Sequence, residues 1–364
     1  MKNQEKHWTA CPECQGLGRK HNKIRKALRL RYKLALDEFE KNKSEGIAPI
    51  PPKGHPYACL NCSASGLVPA SKYPEVDQEN FPRLAIIGAG IGGVALAVAC
   101  LHRGIPFTIY ERDNSFNDRA QGYGLTLQQA SKEIKGLGLF SLESGVISTR
   151  HVMHTTEGKV IGEWGMRKWR PSDKRLPPKR INIHIARQSL RLALLEQLGS
   201  QDVVQWGHRL IDFKKNADCS IELSFEVKGK LLSTKADLVV GADGIRSTTR
   251  KLLIGDEVTP LRYLDCIVIL GICPLKNLEG LKHPLLDSAT VFQTANGKER
   301  IYIMPYTSDS VMWQLSFPMS EMEAKELSAK GAEALKQEAC CRTQWHDPIP
   351  QIVAATQAAQ ISGY

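Results

Sequence analysis

Four cysteines near the N-terminus have the spacing of a metal-binding site. Cys11 and Cys14 form one CxxC pair, Cys59 and Cys62 form a second, and small residues with glycine follow each pair. A CxxC turn lets two thiolates chelate one tetrahedral zinc ion, and the glycine lets backbone amides approach the sulfurs. The pattern predicts one structural zinc ion held by all four cysteines, with four free thiols or a redox pair as the alternative.

A glycine-rich turn, Gly88-Ala-Gly90-Ile-Gly-Gly93, follows an apolar strand predicted at 83–87. In this dinucleotide fingerprint the first glycine permits the tight turn, the second lets a pyrophosphate approach the backbone, and the third allows a helix to pack closely on the strand. The phosphates would lie at the N-terminus of that helix, where free N–H groups and the dipole favour an anion. A tight turn in an ordinary α/β unit is the alternative.

Glu111 completes the fingerprint. The helix is predicted to extend to about residue 103, and a second strand at 106–110 ends in this acid, which lies 21 residues beyond Gly90. A carboxylate there can accept both ribose hydroxyls of an adenosine. Strand, helix, second strand and terminal acid together predict dinucleotide binding. The neighbouring Arg112 faces either the adenosine phosphate or solvent.

The elements after this unit favour FAD over NAD as the bound dinucleotide. Residues 150–164 are predicted as a hairpin, and residues 203–234 as an antiparallel meander. Another buried parallel strand is predicted only at 237–241, in the string ADLVVGADGIRSTTR. A dehydrogenase that binds a nicotinamide dinucleotide alone would instead continue with alternating strands and helices.

Three strings resemble the single-component FAD-dependent monooxygenases, the p-hydroxybenzoate hydroxylase-like family. They are RLAIIGAGIGGVALAVACLHRGIPFTIYERD, QGYGLTLQQASKEIKGLGL and DLVVGADGIRSTTR, the last being close to the family motif GADGxxSxxR. The resemblance covers residues 83–364. It implies bound FAD, NAD(P)H as co-substrate, and hydroxylation by O2, through a flavin C4a-hydroperoxide, of a small substrate that is aromatic or otherwise electron-rich.

Two further site residues follow from the resemblance. Asp243 matches the family aspartate that lies near the FAD pyrophosphate and is implicated in NAD(P)H use. Arg187, in HIARQSLRLALLEQL, matches an arginine that contacts the flavin cofactor. The alternatives are a simple turn at Asp243-Gly244 and a solvated residue at a helix start. No catalytic residue is assigned, because the cofactor carries the difficult chemistry in such enzymes.

These elements predict an α/β fold: a Rossmann-like FAD-binding domain with an inserted antiparallel-sheet substrate domain, preceded by a small zinc-binding helical segment. We assign 1–70 to the zinc-binding segment, 71–82 to a linker, 83–255 to the FAD-binding domain with hairpin insertions, and 256–364 to the substrate domain.

The substrate platform is expected from antiparallel strands around 262–272, 289–293 and 299–317. Some of their side chains would line an apolar cavity, although strand residues of these types are more often core. The side chains concerned are Tyr302, Met304, Tyr306, Met312 and Trp313.

The family's second flavin motif, GDAxHxxxP, does not occur in the 364 residues. The nearest Gly-Asp, Gly255-Asp256, lacks the histidine and the proline. We therefore expect either that the sequence is a fragment, incomplete at its C-terminus, or that the protein has lost flavin chemistry.

The formal charge of +11 lies mainly near the N-terminus, because residues 1–55 hold 13 Lys or Arg against 6 Asp or Glu. Residues 19–33 carry eight basic side chains and no acid, on a helix predicted over 19–43. This segment could grip nucleic acid phosphates, but a solvated face is the preferred interpretation.

The longest uncharged run, 84–101, is predicted as strand, turn and helix rather than as a membrane span. The N-terminal string MKNQEKHW has no apolar stretch typical of a secretory signal. We therefore expect a cytoplasmic protein.

Three functions from different classes remain open. The preferred one is an FAD-dependent monooxygenase. The others are a flavoprotein reductase or dehydrogenase that inserts no oxygen, and a zinc-dependent nucleic-acid-binding module on a non-catalytic nucleotide fold. Oxygen consumption with product hydroxylation separates the first two, and salt-sensitive RNA or DNA binding marks the third.

Overall fold

The computed structural model describes residues 7–42, 46–118, 123–165, 182–199 and 203–363. The first part, residues 7–70, is called the cysteine module below. Its elements are β1 (His7–Ala10), β2 (Arg19–His21), α1 (Lys26–Lys41), β3 (Pro56–Ala58) and β4 (Leu67–Ala70). Strand β1 pairs antiparallel with β4, and β2 pairs antiparallel with β3. The segment that contains α1 therefore begins and ends beside the two CxxC pairs.

The helix predicted over 19–43 begins only at Lys26, so its first part was wrong. Gly18 has a φ of +67° and turns its amide to the sulfur of Cys14, and the chain leaves it in an extended form. Arg19–His21 then pairs with Pro56–Ala58, a partner that helical periodicity does not reveal. No residue of α1 is buried.

The rest of the chain alternates between strands and short helices. The strands are β5 (Leu84–Ile87), β6 (Phe107–Tyr110), β7 (Gly124–Leu127), β8 (Val146–Ser148), β9 (Arg150–His154), β10 (Val160–Trp164), β11 (Asn182–Ala186), β12 (Val204–Gln205), β13 (Arg209–Lys215), β14 (Ile221–Val227), β15 (Lys230–Ala236), β16 (Leu238–Gly241), β17 (Cys266–Pro274), β18 (Thr290–Ala295), β19 (Arg300–Thr307), β20 (Ser310–Pro318) and β21 (Ile361–Gly363). The helices are α2 (Ile91–Leu101), α3 (Ala130–Glu133), α4 (Arg187–Gln197), α5 (Thr248–Ile254), α6 (Glu321–Ala329), α7 (Ala332–Arg342) and α8 (Ile349–Ala355).

A four-stranded parallel sheet in the order β12-β6-β5-β16 carries the glycine-rich turn. All four residues of β5 are buried, as expected for a central parallel strand covered on both faces. Leu84 and Ile86 pack with residues of α2 and α4, whereas Ala85 and Ile87 pack with the β13-β14-β15 meander. The predicted strand, helix, second strand, meander and returning parallel strand are all present.

A mixed seven-stranded sheet has the order β10-β9-β18-β19-β20-β17-β21. The predicted hairpin at 150–164 is present as β9 and β10, and it joins this sheet. Strand β9 pairs in parallel with β18, while every other neighbouring pair is antiparallel. Helices α6, α7 and α8 bury one face in an apolar core. The β7-β11-β8 sheet contacts the other face through Gly124 and Thr126.

The uncharged run 84–101 folds as β5, the glycine turn and α2, as predicted. Across the ranges given above, no helix is both long enough and apolar enough to cross a bilayer.

Candidate dinucleotide and metal sites

The four cysteines converge on one buried cluster. The Sγ atoms of Cys11 and Cys59 lie 4.0 Å apart, those of Cys14 and Cys62 lie 3.7 Å apart, and all four sulfurs lie within 4.8 Å of one another. Zinc–sulfur bonds of about 2.3 Å place the sulfurs of a tetrahedral site roughly 3.8 Å apart. The cluster therefore has the dimensions of a four-thiolate metal site.

Nitrogen donors surround the sulfurs. Gly18 N–H donates to the sulfur of Cys14 at 3.2 Å, and Gly66 N–H donates to the sulfur of Cys62 at 3.3 Å. The Asn61 side-chain amide donates to a third sulfur, that of Cys11, also at 3.3 Å. Hydrogen bonds of this kind stabilise thiolates, which are the ligand form that a metal requires. The glycine after each pair serves the purpose that its position predicted.

The thiols of the cluster differ in acidity. Burial opposes ionisation of Cys11, but hydrogen bonds from Asn61 and nearby backbone amides outweigh it and lower its pKa to about 6. Burial, reinforced by the neighbouring sulfurs, raises the pKa of Cys14 to about 11. Four adjacent thiolates would repel one another unless a cation lay between them, so the donor set fits a bound divalent metal.

The three glycines of the fingerprint have different surroundings. Gly88 has a φ of +105°, and a Cβ there would lie 2.6 Å from the carbonyl oxygen of Ala242. A Cβ on Gly93 would lie 1.9 Å from the carbonyl oxygen of Gly88, so helix and strand approach too closely for any side chain. Gly90 is the N-cap of α2, and a Cβ there would meet no atom within 4 Å. This opening is where an anion can approach the helix N-terminus.

Glu111 lies at the end of β6, directly beside the turn. Its Oε2 accepts a hydrogen bond from Ala89 N–H at 2.7 Å, and its Oε1 accepts one from Asp113 N–H at 3.1 Å. Each carboxylate oxygen can accept more than one hydrogen bond, so capacity remains for ligand hydroxyls. The two contacts fix the carboxylate at the edge of the opening beside Gly90.

The segment Ala242-Asp243 follows β16 and lies against the glycine turn. Ala242 N–H donates to Ile87 O at 2.8 Å, which continues the parallel pairing into the turn. The Asp243 carboxylate accepts from the Ser247 hydroxyl at 2.6 Å and from the Thr249 amide at 3.0 Å. Asp243 thus orders its own loop and the start of α5. These contacts support the structural alternative for this residue, while its contact with a cofactor stays a prediction.

Arg191 is a site residue that the sequence patterns missed. It is buried, and its Nε donates to Ala89 O, within the glycine turn, at 2.7 Å. Its guanidinium also lies over the rings of Phe116 and Trp206, at 4.9 and 5.5 Å from their centroids. Because residues four apart share a helix face, the position one turn after Arg187 was the available signal.

The two arginines named from the sequence lie in different environments. Arg187 begins α4 and donates from its guanidinium to the Tyr123 hydroxyl at 2.5 Å, so it is not simply solvated. Arg112 is exposed, and within the described ranges it has no hydrogen bond or ion pair. Gln121 and Gly122, the first half of the QGYG string, lie outside the described residues.

The expected substrate platform splits between two faces of the seven-stranded sheet. Met304 and Met312 are buried together, with Tyr302 and Tyr306 beside them, on the face towards β7. Trp313 points to the opposite face, where its indole N–H donates to the Thr356 hydroxyl at 2.9 Å. The tryptophan is thus a core residue, as the preferred interpretation had it, and shares no cavity with Met312, because successive strand residues face opposite sides.

A buried polar group adjoins this platform. His184 is fully buried, and its Nδ1 lies 3.0 Å from the Thr126 hydroxyl oxygen. Burial lowers the pKa of His184 to about 4, so the imidazole is neutral at pH 7. Burial raises the pKa of the Tyr302 phenol, and a hydrogen bond with Thr126 opposes that rise. Sequence reasoning named the tyrosine and missed its two polar neighbours.

Helix α2 connects the two candidate sites. The helix begins directly after Gly90, and residues at its C-terminal end contact the cysteine module. There, Ala10 N–H donates to His102 O at 3.0 Å, and the Arg103 guanidinium donates to Gly16 O at 3.2 Å. The cysteine cluster and the glycine turn are thus attached to opposite ends of one helix.

Comparison with protein families gives one match that covers most of the chain. A family model described as an FAD binding domain matches residues 83–361. The match includes the glycine turn, Glu111, Arg187, Asp243 and the platform strands. The cysteine module precedes it.

Relatives with curated names align over part of the chain. A probable FAD-dependent monooxygenase of Arthroderma benhamiae is 29% identical over 190 residues, which are 50% of this chain and 41% of that protein. An FAD-dependent urate hydroxylase of Mycolicibacterium vanbaalenii is 25% identical over 233 residues, which are 62% of this chain and 54% of that protein. The chain thus spans about half the length of these relatives.

Solved structures share the fold. HpxO of Klebsiella pneumoniae, in complex with FAD and uric acid, matches with a TM-score of 0.64 and 19% identity, covering 79% of this chain and 68% of that one. PqsL of Pseudomonas aeruginosa, a probable FAD-dependent monooxygenase, matches with a TM-score of 0.56 and 20% identity, covering 78% of this chain and 73% of that one.

Proposed function

Because the chain belongs to the FAD-binding domain family, we propose that it binds FAD at the turn between β5 and α2 and acts as an FAD-dependent monooxygenase. It would use NAD(P)H and O2 to hydroxylate a small organic substrate that is aromatic or otherwise electron-rich. The observation that carries this proposal is the shape of the turn. Backbone closes it around Gly88 and Gly93 and leaves it open beside Gly90.

The residues around this opening fit the adenosine end of FAD. The first amides of α2 would bind the pyrophosphate, since no side chain caps the helix. Glu111 would accept the ribose hydroxyls, and Arg191 holds the carbonyl of Ala89 so that the amides keep their direction. FAD, when bound, would supply the redox and oxygen-transfer chemistry.

The platform residues would bind the substrate. The half-buried Tyr302 and Tyr306 would face the substrate, with the buried Met304 and Met312 as an apolar layer beneath them, and burial raises the pKa of both phenols, which are protonated at neutral pH. Protonated phenols can donate hydrogen bonds to the oxygen or nitrogen atoms of a planar ring. The relative named urate hydroxylase acts, by its name, on an electron-rich heteroaromatic ring, which supports this substrate class.

Reconstitution of the chain with FAD tests the proposal. We expect bound flavin to be visible by absorbance, NAD(P)H oxidation to consume O2, and a substrate to gain one oxygen atom from labelled O2. NAD(P)H oxidation without product labelling would instead support the reductase alternative. Failure to bind FAD, with the fold intact by circular dichroism, would reject both.

We also propose that the cysteine cluster binds a single structural zinc ion, rather than acting as a redox pair. The closed four-sulfur donor set supports this assignment, since structural zinc sites leave no open position for substrate. Metal analysis should find one zinc per chain. A metal-free protein whose four cysteines are readily alkylated in the folded state would contradict it.

A further inference from the structure

Helix α1 is a 16-residue helix without a buried residue, although much of its surface is apolar. On one side of it, Leu28 has 44% of its surface exposed, Ala35 is exposed, and Tyr32 and Phe39 are half-buried. Solvated helices normally place their apolar residues on a protected face, and an exposed apolar stripe of this length marks a surface that meets a partner.

The charges of α1 are divided between its two halves. Lys26, Arg29, Arg31 and Lys33 occupy the N-terminal half, whereas Asp37, Glu38 and Glu40, followed by the terminal Lys41, occupy the C-terminal half. This order opposes the helix dipole, which favours acids at the N-terminus and bases at the C-terminus. In the part of the chain that the structure describes, none of these side chains forms an ion pair that would offset the cost.

The apolar residues follow the spacing of a helix-pairing seam. Leu28, Tyr32, Ala35 and Phe39 are separated by four, three and four residues, which places them on one side of the helix. Leu30 and Leu34 lie on the far side and play no part in this seam. In an antiparallel pair, Leu28 of one copy would contact Phe39 of the other, and Tyr32 would contact Ala35. Two-fold symmetry would repeat each contact.

We propose that α1 is a self-association helix, which pairs antiparallel with α1 of a second copy of this chain. In the register of that seam, Arg31 lies beside Glu38 of the second copy, and the two-fold symmetry repeats the pair at the other end. Basic halves then face acidic halves, and the two helix dipoles oppose each other. The arrangement removes the unfavourable charge order that a single helix carries.

The same division of charges makes other partners a poorer fit than an antiparallel copy. A nucleic acid or an anionic lipid surface would attract the basic half and repel the acidic half. A parallel second copy would place like charges together. Only an antiparallel copy of α1 complements both halves at once. Since the helix is about 24 Å long, it offers less area than a standard interface, so pairing is reversible and concentration-dependent.

Charge exchange at Arg31 and Glu38 tests the proposal on the full chain. We expect sedimentation equilibrium to show a wild-type dimer that dissociates on dilution. Arg31→Glu and Glu38→Arg should each weaken dimerisation about tenfold, because two attractive pairs become repulsive. An equimolar mixture of the two variants should restore dimerisation, since one copy then carries only acids and the other only bases at these positions.

Lys53→Glu is the matched control, because it reverses an exposed charge outside α1 and should leave dimerisation unchanged. All three positions are exposed, so circular dichroism and metal content should not change. A wild-type chain that is monomeric at every concentration, or a mixture that fails to recover, would overturn the proposal. So would RNA binding that Arg31→Glu weakens and Glu38→Arg strengthens, since a polyanion would then be the partner.

Discussion

Single residues of the glycine turn have separable effects on folding and on ligand binding. Gly93 leaves no room for a Cβ, whereas Gly90 and Gly92 have no atom within 4 Å of that position. The carbonyl that blocks Gly93 belongs to the backbone of Gly88 and cannot rotate away as a side chain could. Stability and FAD affinity therefore depend on different glycines of one motif.

Three alanine substitutions distinguish these roles. Gly93→Ala should lower the free energy of unfolding by about 1–3 kcal/mol, since α2 must shift away from β5. Gly90→Ala should fold normally but bind FAD more weakly, because its methyl group occupies the space of the pyrophosphate. Urea denaturation and flavin fluorescence quenching measure the two effects.

Gly92→Ala is the control: it should bind FAD like the wild type, and its stability should equal or slightly exceed that of the wild type, because alanine favours a helix. If Gly90→Ala bound FAD as tightly as Gly92→Ala, the pyrophosphate would not lie where we propose.

The buried His184 makes stability depend on pH. Burial lowers its pKa from 6.5 to about 4, while the unfolded chain binds the proton near 6.5. The contribution of His184 to the free energy of unfolding is therefore fully present above pH 6.5. It is lost as the pH falls towards 4, which lowers stability by roughly 3 kcal/mol. His184→Asn keeps an atom near the Nδ1 position for Thr126 but binds no proton, so urea denaturation should show a smaller loss at acidic pH.

His55→Asn, at an exposed position, should leave the pH dependence unchanged. An identical loss of stability in wild type and His184→Asn would show that other groups cause the acid sensitivity.

At the scale of elements, sequence patterns predicted those strands and helices whose form is determined by residues close to them in the chain. The unit from β5 to β6 was predictable because its apolar runs, glycines and terminal acid lie within 30 residues. The extended form of Arg19–His21 was not, because its partner is Pro56–Ala58. The two faces of the platform could be predicted in part, because strand alternation places Met312 and Trp313 on opposite sides. The register that pairs Met304 with Met312 could not be predicted.

Arg103 joins two elements, and its removal should weaken both. Its guanidinium donates to Ala99 O at 2.9 Å, near the end of α2, and to Gly16 O in the cysteine module. Arg103→Ala should lower the free energy of unfolding by about 1 kcal/mol, because two half-buried carbonyls lose their donor. Arg246→Ala removes an arginine that is exposed and has no partner among the described residues, so it should have little effect. Equal losses in both variants would contradict a linking role.

At the scale of the whole molecule, the cysteine module should depend on the proposed metal more than the body does. Its apolar core consists of the four cysteines with Val68 beside them, which is too small to fold without a cross-link. The body has three larger cores. Trp8 packs against Phe140, with ring centroids 4.4 Å apart, and so joins the two parts.

Metal removal should therefore unfold the module before the body. We expect a chelator to make four further thiols reactive towards alkylation, counted by mass spectrometry, and to change the fluorescence of Trp8. The strand content of the body should persist in circular dichroism. Cys219→Ser, at an exposed cysteine, should lower the count by one both with and without chelator. Unchanged alkylation after metal removal would contradict a metal-held module.

The pairing of β9 with β18 in the seven-stranded sheet could not be predicted from the sequence. The hairpin β9-β10 is local and was predicted, but its parallel pairing with β18 joins residues 140 positions apart, as in Arg150 with Thr290. Nothing in either strand specifies that neighbour, since both carry only the general pattern of half-buried strands. For Arg191 the helical spacing from Arg187 was a signal, but its contact with the carbonyl of Ala89 joins two elements and could not be predicted.

The central position of β5 has a consequence for synthesis on the ribosome. One of its neighbours, β6, follows promptly, but the other, β16, ends 154 residues after Ile87, at Gly241. At cellular elongation rates this interval lasts about 8–30 s, during which one edge of an apolar strand has no partner. Slower translation of residues 111–237 should therefore lower the soluble yield, because the nascent chain presents that edge to other chains for longer.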